Sequence, residues 1–202
     1  MFSNELDKLL VLHLSDLDEG VRRLHLLEAK IGNELDKLVR EWSSDKGWRA
    51  GDGTWVSDGE VATAPQHWLA GDTWNAWFNL GYQHGDDGEG TEHNDYFWLT
   101  RLCAEGRGGM GFRFEQNEFP KTQWKKVLQR HATAFADTRF ILDDNPSLFL
   151  PVKVDKERLA EAAEQENVRD ALTPIVEALD YIYSVVPRFD ELRDTMRKEQ
   201  AP

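Results

Sequence analysis

Leu10, Leu14, Leu17, Val21, Leu24, Glu28, Ile31, Leu35, Leu38 and Trp42 are spaced alternately by four and three residues, and nine of the ten are apolar. A stripe held over more than four heptads requires a helix that presents one face to another helix, because only that period returns the side chains to the same side. Gly20 and Gly32 each weaken the helix interior by about 1 kcal/mol relative to alanine. Ser15 followed by Asp18 is a capping pattern, so a break is expected near residues 15–20.

The other end of the chain repeats the pattern. Leu172, Ile175, Leu179, Ile182, Val186, Phe189 and Met196 alternate in the same way, with Arg193 as the one polar member. Asp155 is expected to cap a helix running to about Asp170. Thr173-Pro174 reads as the cap and first position of the next helix. Pro187 has no N–H and is expected to kink or restart that helix. Two such seams predict either an antiparallel pair within one chain or like seams meeting in a homodimer.

Between the seams the period changes to two. Trp74, Ala76, Phe78, Leu80 and Tyr82 lie opposite Asn75, Asn79 and Gln83, as in a half-buried strand. Tyr96–Ala104 and Gly111–Gln116 read as two further strands, joined through Gly106-Arg107-Gly108-Gly109 as a hairpin. Pro120 to about Asp137 has a helical face of Trp124, Val127 and Leu128. Arg139–Leu142 and Ser147–Val154 read as a second hairpin around Asp143-Asp144-Asn145-Pro146. Residues 44–66 read as a long loop. The fold expected is α+β: an antiparallel sheet of about five strands with one packed helix, flanked by heptad-patterned helices at both ends. Three segments follow: helical residues 1–43, an α+β core over 44–154, and C-terminal helices over 155–202.

The net charge of −13 is concentrated in one place. Residues 1–49 and 101–202 each carry −2, whereas Ala50–Thr100 holds nine acids and no lysine or arginine. Five of the eight tryptophans lie in that stretch: Trp55, Trp68, Trp74, Trp77 and Trp98. The acids, with tryptophans as anchors, suit a basic partner surface. The residues expected to make that contact are Asp72, Trp74, Trp77, Asp86, Asp87, Glu89, Glu92 and Asp95. Direct nucleic-acid binding is disfavoured, because the basic clusters (Lys125, Lys126 and Arg130; Arg193, Arg197 and Lys198) are short and matched by acids.

Other chemistries leave fainter marks. The stretch 84–95 carries seven carboxylate or imidazole side chains, and His84, Asp86, His93 and Asp95 are candidate ligands for a divalent metal, with Asp87, Glu89 and Glu92 beside them. Neither the EF-hand pattern nor a His-Glu-x-x-His helix is present. Gly106-x-Gly108-x-x-Gly111 matches a dinucleotide fingerprint by letter, but Phe112-Arg-Phe-Glu after it alternates like a strand instead of opening a helix. A serine elbow and a phosphate-binding loop are absent, and Cys103 sits in an apolar run. No run of about 18 apolar residues marks a membrane span. A lone cysteine and no secretory leader favour the cytoplasm. The function expected is therefore a non-enzymatic, regulatory protein-binding module. Its acidic surface would dock a basic partner, such as a nucleic-acid-acting protein held by an inhibitor or immunity protein. A metal-dependent hydrolase built on residues 84–95 is the first alternative, with a divalent metal as its only cofactor. A structural homo-oligomer joined by its heptad helices is the second.

Overall fold

The computed structural model describes residues 4–83, 96–142 and 147–200. The expected α+β architecture is present, and its sheet is larger than the sequence indicated. Seven helices are seen among these residues: α1 (Asn4–Leu12), α2 (Leu14–Asp45), α3 (Trp55–Asp58), α4 (Trp98–Leu102), α5 (Lys121–His131), α6 (Lys156–Glu164) and α7 (Thr173–Gln200). The strands are β1 (Trp48–Ala50), β2 (Val61–Pro65), β3 (Leu69–Ala70), β4 (Thr73–Trp74), β5 (Ala76–Tyr82), β6 (Met110–Gln116), β7 (Ile141–Leu142) and β8 (Leu148–Val152). Six strands form one antiparallel sheet in the order β1-β2-β5-β6-β8-β7, and β3 and β4 form a separate hairpin.

The period-two pattern decides which sheet face is covered. Phe78 lies opposite Phe114 and Leu80 opposite Phe112, and Phe112 is in turn opposite Leu150. These side chains point to one face, and α7 covers it through Phe189, whose ring lies 5.0 Å from Phe78 and 4.7 Å from Phe114. The register also requires a glycine: a Cβ on Gly111 would lie 2.1 Å from the Leu150 carbonyl oxygen. One apolar cluster runs from Ile31 in α2 through the sheet to Met196 in α7.

The α7 seam is buried, and Phe189 on it packs against the sheet. The two terminal helices meet over a limited region. Trp42 donates its indole N–H to Asp180 at 3.0 Å, and Lys46 lies 3.3 Å from the same carboxylate. Arg169 binds Glu41 and lies 3.9 Å from Glu34. Arg169 lies just before α7, and α2 meets α7 itself around Asp180 and Tyr183. A stripe with spacings of three and four meets a sheet as readily as a helix, which is why the pattern could not choose.

Several local readings change as well. The break in the N-terminal helix falls at His13, where φ is −115° and ψ 24°, and not within 15–20. Tyr96–Ala104 is not a strand: its centre is α4, and Gly106–Gly109 joins that helix to β6 instead of closing a hairpin. A short apolar run has no periodicity with which to tell helix from strand. Residues 44–66 are not one loop but hold β1, α3 and β2. Asp155 does cap α6, accepting from the Glu157 and Arg158 N–H groups at 3.1 and 2.9 Å, but that helix stops at Glu164. Thr173 is itself helical, and its hydroxyl donates to the Asp170 carbonyl, so the cap predicted there does not form. Helix α7 runs through Pro187 without a restart. Strands β7 and β8 pair antiparallel as expected, and the turn residues 143–146 lie outside the described residues.

Candidate functional site

The middle of α2, α3, the end of β5 and the start of α4 enclose a pocket of about 350 Å³ lined by His25, Glu28, Trp55, Val56, Tyr82 and Trp98, among others. Each wall has a local cause. Thr54 caps α3 by accepting from Ser57 N–H at 3.3 Å, while Asp58 accepts from Thr54 N–H at 2.8 Å. Gly59 closes α3 with a left-handed φ of 67°, a conformation glycine adopts without a Cβ penalty. Asp36 of α2 accepts from Trp55 N–H at 2.8 Å, and Arg40 donates to the carbonyls of Asp52 and Gly53. Burial pushes the Asp36 carboxyl above its usual range, opposed in part by the bond from Trp55. Gly32 permits the contact: a Cβ there would lie 2.9 Å from the Trp55 ring.

The pocket is aromatic, with one carboxylate set into it. Trp55 is buried, and its ring meets Trp98 at 5.0 Å and Tyr82 at 5.6 Å. Arg101 stacks on Tyr82 at 4.8 Å and holds that ring. Glu28 is 8% exposed; it lies 3.5 Å from His25 Nδ1 and accepts from Leu99 N–H at 3.5 Å. Among the described residues no lysine or arginine pairs with Glu28. Elsewhere the same chemistry is already satisfied from within the chain: the Lys46 ammonium sits 5.1 Å from the Tyr183 ring, 5.9 Å from Trp42 and 3.3 Å from Asp180. The Glu28 pocket offers a similar set of rings and a carboxylate; Arg101 already stacks on its Tyr82, but among the described residues no lysine or arginine pairs with the carboxylate.

The residues singled out in the sequence are dispersed. Asp72 lies at the turn of the β3–β4 hairpin, its side chain almost wholly exposed and 3.3 Å from Arg49. Trp74 and Trp77 are half-buried, and Trp77 lies across from Glu115 on the sheet face opposite Phe78. Of the other acids in the base-free stretch, Asp58 caps α3 and Glu60 accepts from Asn79 at 2.6 Å. Trp68, with no exposure, is core. His84, Asp86, Asp87, Glu89, Glu92, His93 and Asp95 lie outside the described residues. Among the described residues no group of three or more His, Cys, Asp or Glu is placed to hold a metal ion.

A second concavity, of about 550 Å³, lies between Trp48, His67, Tyr183 and Asp190. His67 Nε2 is 2.9 Å from Asp190, which also accepts the Trp68 indole N–H at 2.6 Å. The imidazole–carboxylate pair has the form of a base with its orienting group, but among the described residues no serine, threonine or cysteine lines the cavity beside it. Burial, with Glu105 and Asp155 adding to it, pushes the Cys103 thiol up and leaves it a poor nucleophile.

Sequence reasoning missed Glu28, His25, Trp55, Tyr82 and Trp98 as a group. One signal was present: Glu28 is the single polar member of an otherwise apolar seam. No family model matches the chain, and no curated protein or solved structure matches it either, so the geometry of the pocket stands alone as the basis for a functional reading.

Proposed function

We propose that this protein is a binding module for a basic protein partner, and that the Glu28 pocket seats a lysine or arginine side chain of that partner. The observation that carries the reading is the Glu28 carboxylate, buried among aromatic rings and, among the described residues, approached by the His25 imidazole but by no lysine or arginine. A desolvated carboxylate costs free energy unless a cation meets it, and the faces of Trp and Tyr attract the same cation. The acidic stretch adds to this through chain connectivity. Tyr82 and Trp98 stand two and three residues in sequence from the ends of 84–95, a stretch with five carboxylates. These carboxylates would raise the rate of encounter with a basic surface, while the pocket sets which side chain docks.

Titration of the protein with N-acetyl-lysine amide and N-acetyl-arginine amide, followed through the indole N–H signals of Trp55 and Trp98, tests the reading. Both probes should shift those signals, and Glu28→Gln should weaken binding by about 1 kcal/mol, or roughly fivefold. A basic peptide should lose affinity as salt is raised. Indole signals unmoved by either amide would reject the pocket as the docking point.

A further inference from the structure

We infer that the N-terminal arm, α1 with the first half of α2, is a self-association element that pairs with the same arm of a second copy of this chain. Every residue from Glu5 to Asp18 is exposed, so among the described residues the body buries no side of this part of the helix. Yet its seam is apolar. Leu14 is 62% exposed, Leu17 39% and Val21 36%, with Leu6, Leu9 and Leu10 bare before them. The same stripe is buried from Glu28 onward, where the body covers it. A bare helix gains nothing from tertiary packing and is marginal in water at this length, so the seam requires a cover.

Charge argues for a second copy as that cover. The seam flanks, at Val11, His13, Asp18, Gly20 and His25, hold a single carboxylate and no lysine or arginine, so self-pairing sets no row of like charges face to face. Glu19 is already engaged within its own helix by Arg22 and Arg23. The arm belongs to a segment of net charge −2, whereas the next segment carries −9, so two copies meet with least repulsion arm to arm. An antiparallel arrangement serves this best. It sets Leu14 opposite Leu24 of the second copy and Leu17 opposite its Val21, and it holds the acidic bodies at opposite ends. Leu14 to Glu28 spans about 20 Å, which is beyond the roughly 8 Å screening length at physiological salt. A lipid surface suits the arm less well, since membrane-lying helices are rich in Lys and Arg on the polar face, and this one sets Glu5, Asp7, Asp16, Asp18 and Glu19 against Lys8, Arg22 and Arg23.

Sedimentation equilibrium of the full chain up to about 100 μM, a range that detects a Kd in the micromolar decade, should show a dimer. Leu17→Glu and Val21→Lys should each leave a monomer whose urea unfolding midpoint is unchanged, because both sites lie outside the core. Mixing the two variants should restore a dimer: in the antiparallel register Glu at 17 of one copy meets Lys at 21 of the other, and the reciprocal layer remains Val against Leu. A wild-type monomer throughout the range, including one that instead sediments with phosphatidylglycerol vesicles, overturns the inference. A wild-type dimer that survives Leu17→Glu overturns the seam as its interface. A variant mixture that stays monomeric overturns the antiparallel register.

Discussion

Glu28 and Arg193 are the two polar residues that interrupt otherwise apolar seams, and both are buried. Arg193 is paired from within the chain: its guanidinium stacks 5.0 Å from Trp68 and its Nε donates to Glu118 at 2.8 Å, while its buried Nη2 has no hydrogen-bond partner among the described residues. Burial alone would raise the Glu118 carboxyl, but bonds from Arg193 and Arg197 outweigh it and hold the group below its usual range. Such a group binds fewer protons folded than unfolded. Its stabilisation is therefore complete above the ordinary carboxylate range and is lost as pH falls through the lowered value. Glu118→Gln should cost about 3 kcal/mol in urea unfolding at pH 7, since it strands a buried guanidinium, and the cost should shrink at acid pH. Glu115 has the opposite sign. Burial, with Glu60 adding to it and Arg113 opposing, holds its carboxyl above the usual range, so its contribution is lost as pH rises from the carboxylate range toward neutrality. Glu115→Gln should flatten that alkaline-side decline, and unfolding midpoints at pH 5 and pH 8 would show it. Both carboxylates were plain in the sequence, but which would be buried, and beside what, depends on residues more than thirty positions away.

The elements differ in how much of their form is local. Strands β5 and β6 were readable because alternation of apolar and polar residues belongs to the chain itself. The cap at Asp155 was equally local, and Asp155→Ala should lower stability by about 1 kcal/mol, measured by thermal unfolding followed at the helical signal. Strands β1 and β2 were not legible: Trp48–Ala50 is too short to show a period, and Val61–Pro65 becomes a strand by pairing with β5. Helix α4 was misread because Trp98–Leu102 is too short to show a period. Gly32 had seemed only a weak point in a helix, and the Trp55 ring gives it a positive role. Gly111 carries a similar demand inside the sheet. Gly111→Ala should destabilise by about 3 kcal/mol, the upper end for overpacking, because the atom it would strike is backbone. A denaturant midpoint that barely moves would show that β6 and β8 can separate to admit a methyl group.

Over the whole molecule, one core joins both terminal helices to the sheet. Phe189 touches Phe78, Phe114, Phe135 and Phe140, so Phe189→Ala should cost about 3–5 kcal/mol and shift helix and sheet signals together in a single transition. Separate transitions would mean that α7 folds independently of the sheet. Among the described residues no helix is long and apolar enough to cross a membrane. The sequence by itself determined the heptad stripes, the alternation of the central strands, the charge of −13 and its concentration in one segment, because periodicity and composition are properties of the chain alone. Only the tertiary structure decided what those features face. It packed Phe189 of one seam onto the sheet, left half of the other bare, and gathered Glu28, Trp55, Tyr82 and Trp98 from four elements into one pocket. The physical reason is that burial depends on which surfaces the chain brings together, and spacing along the chain does not encode contacts across it.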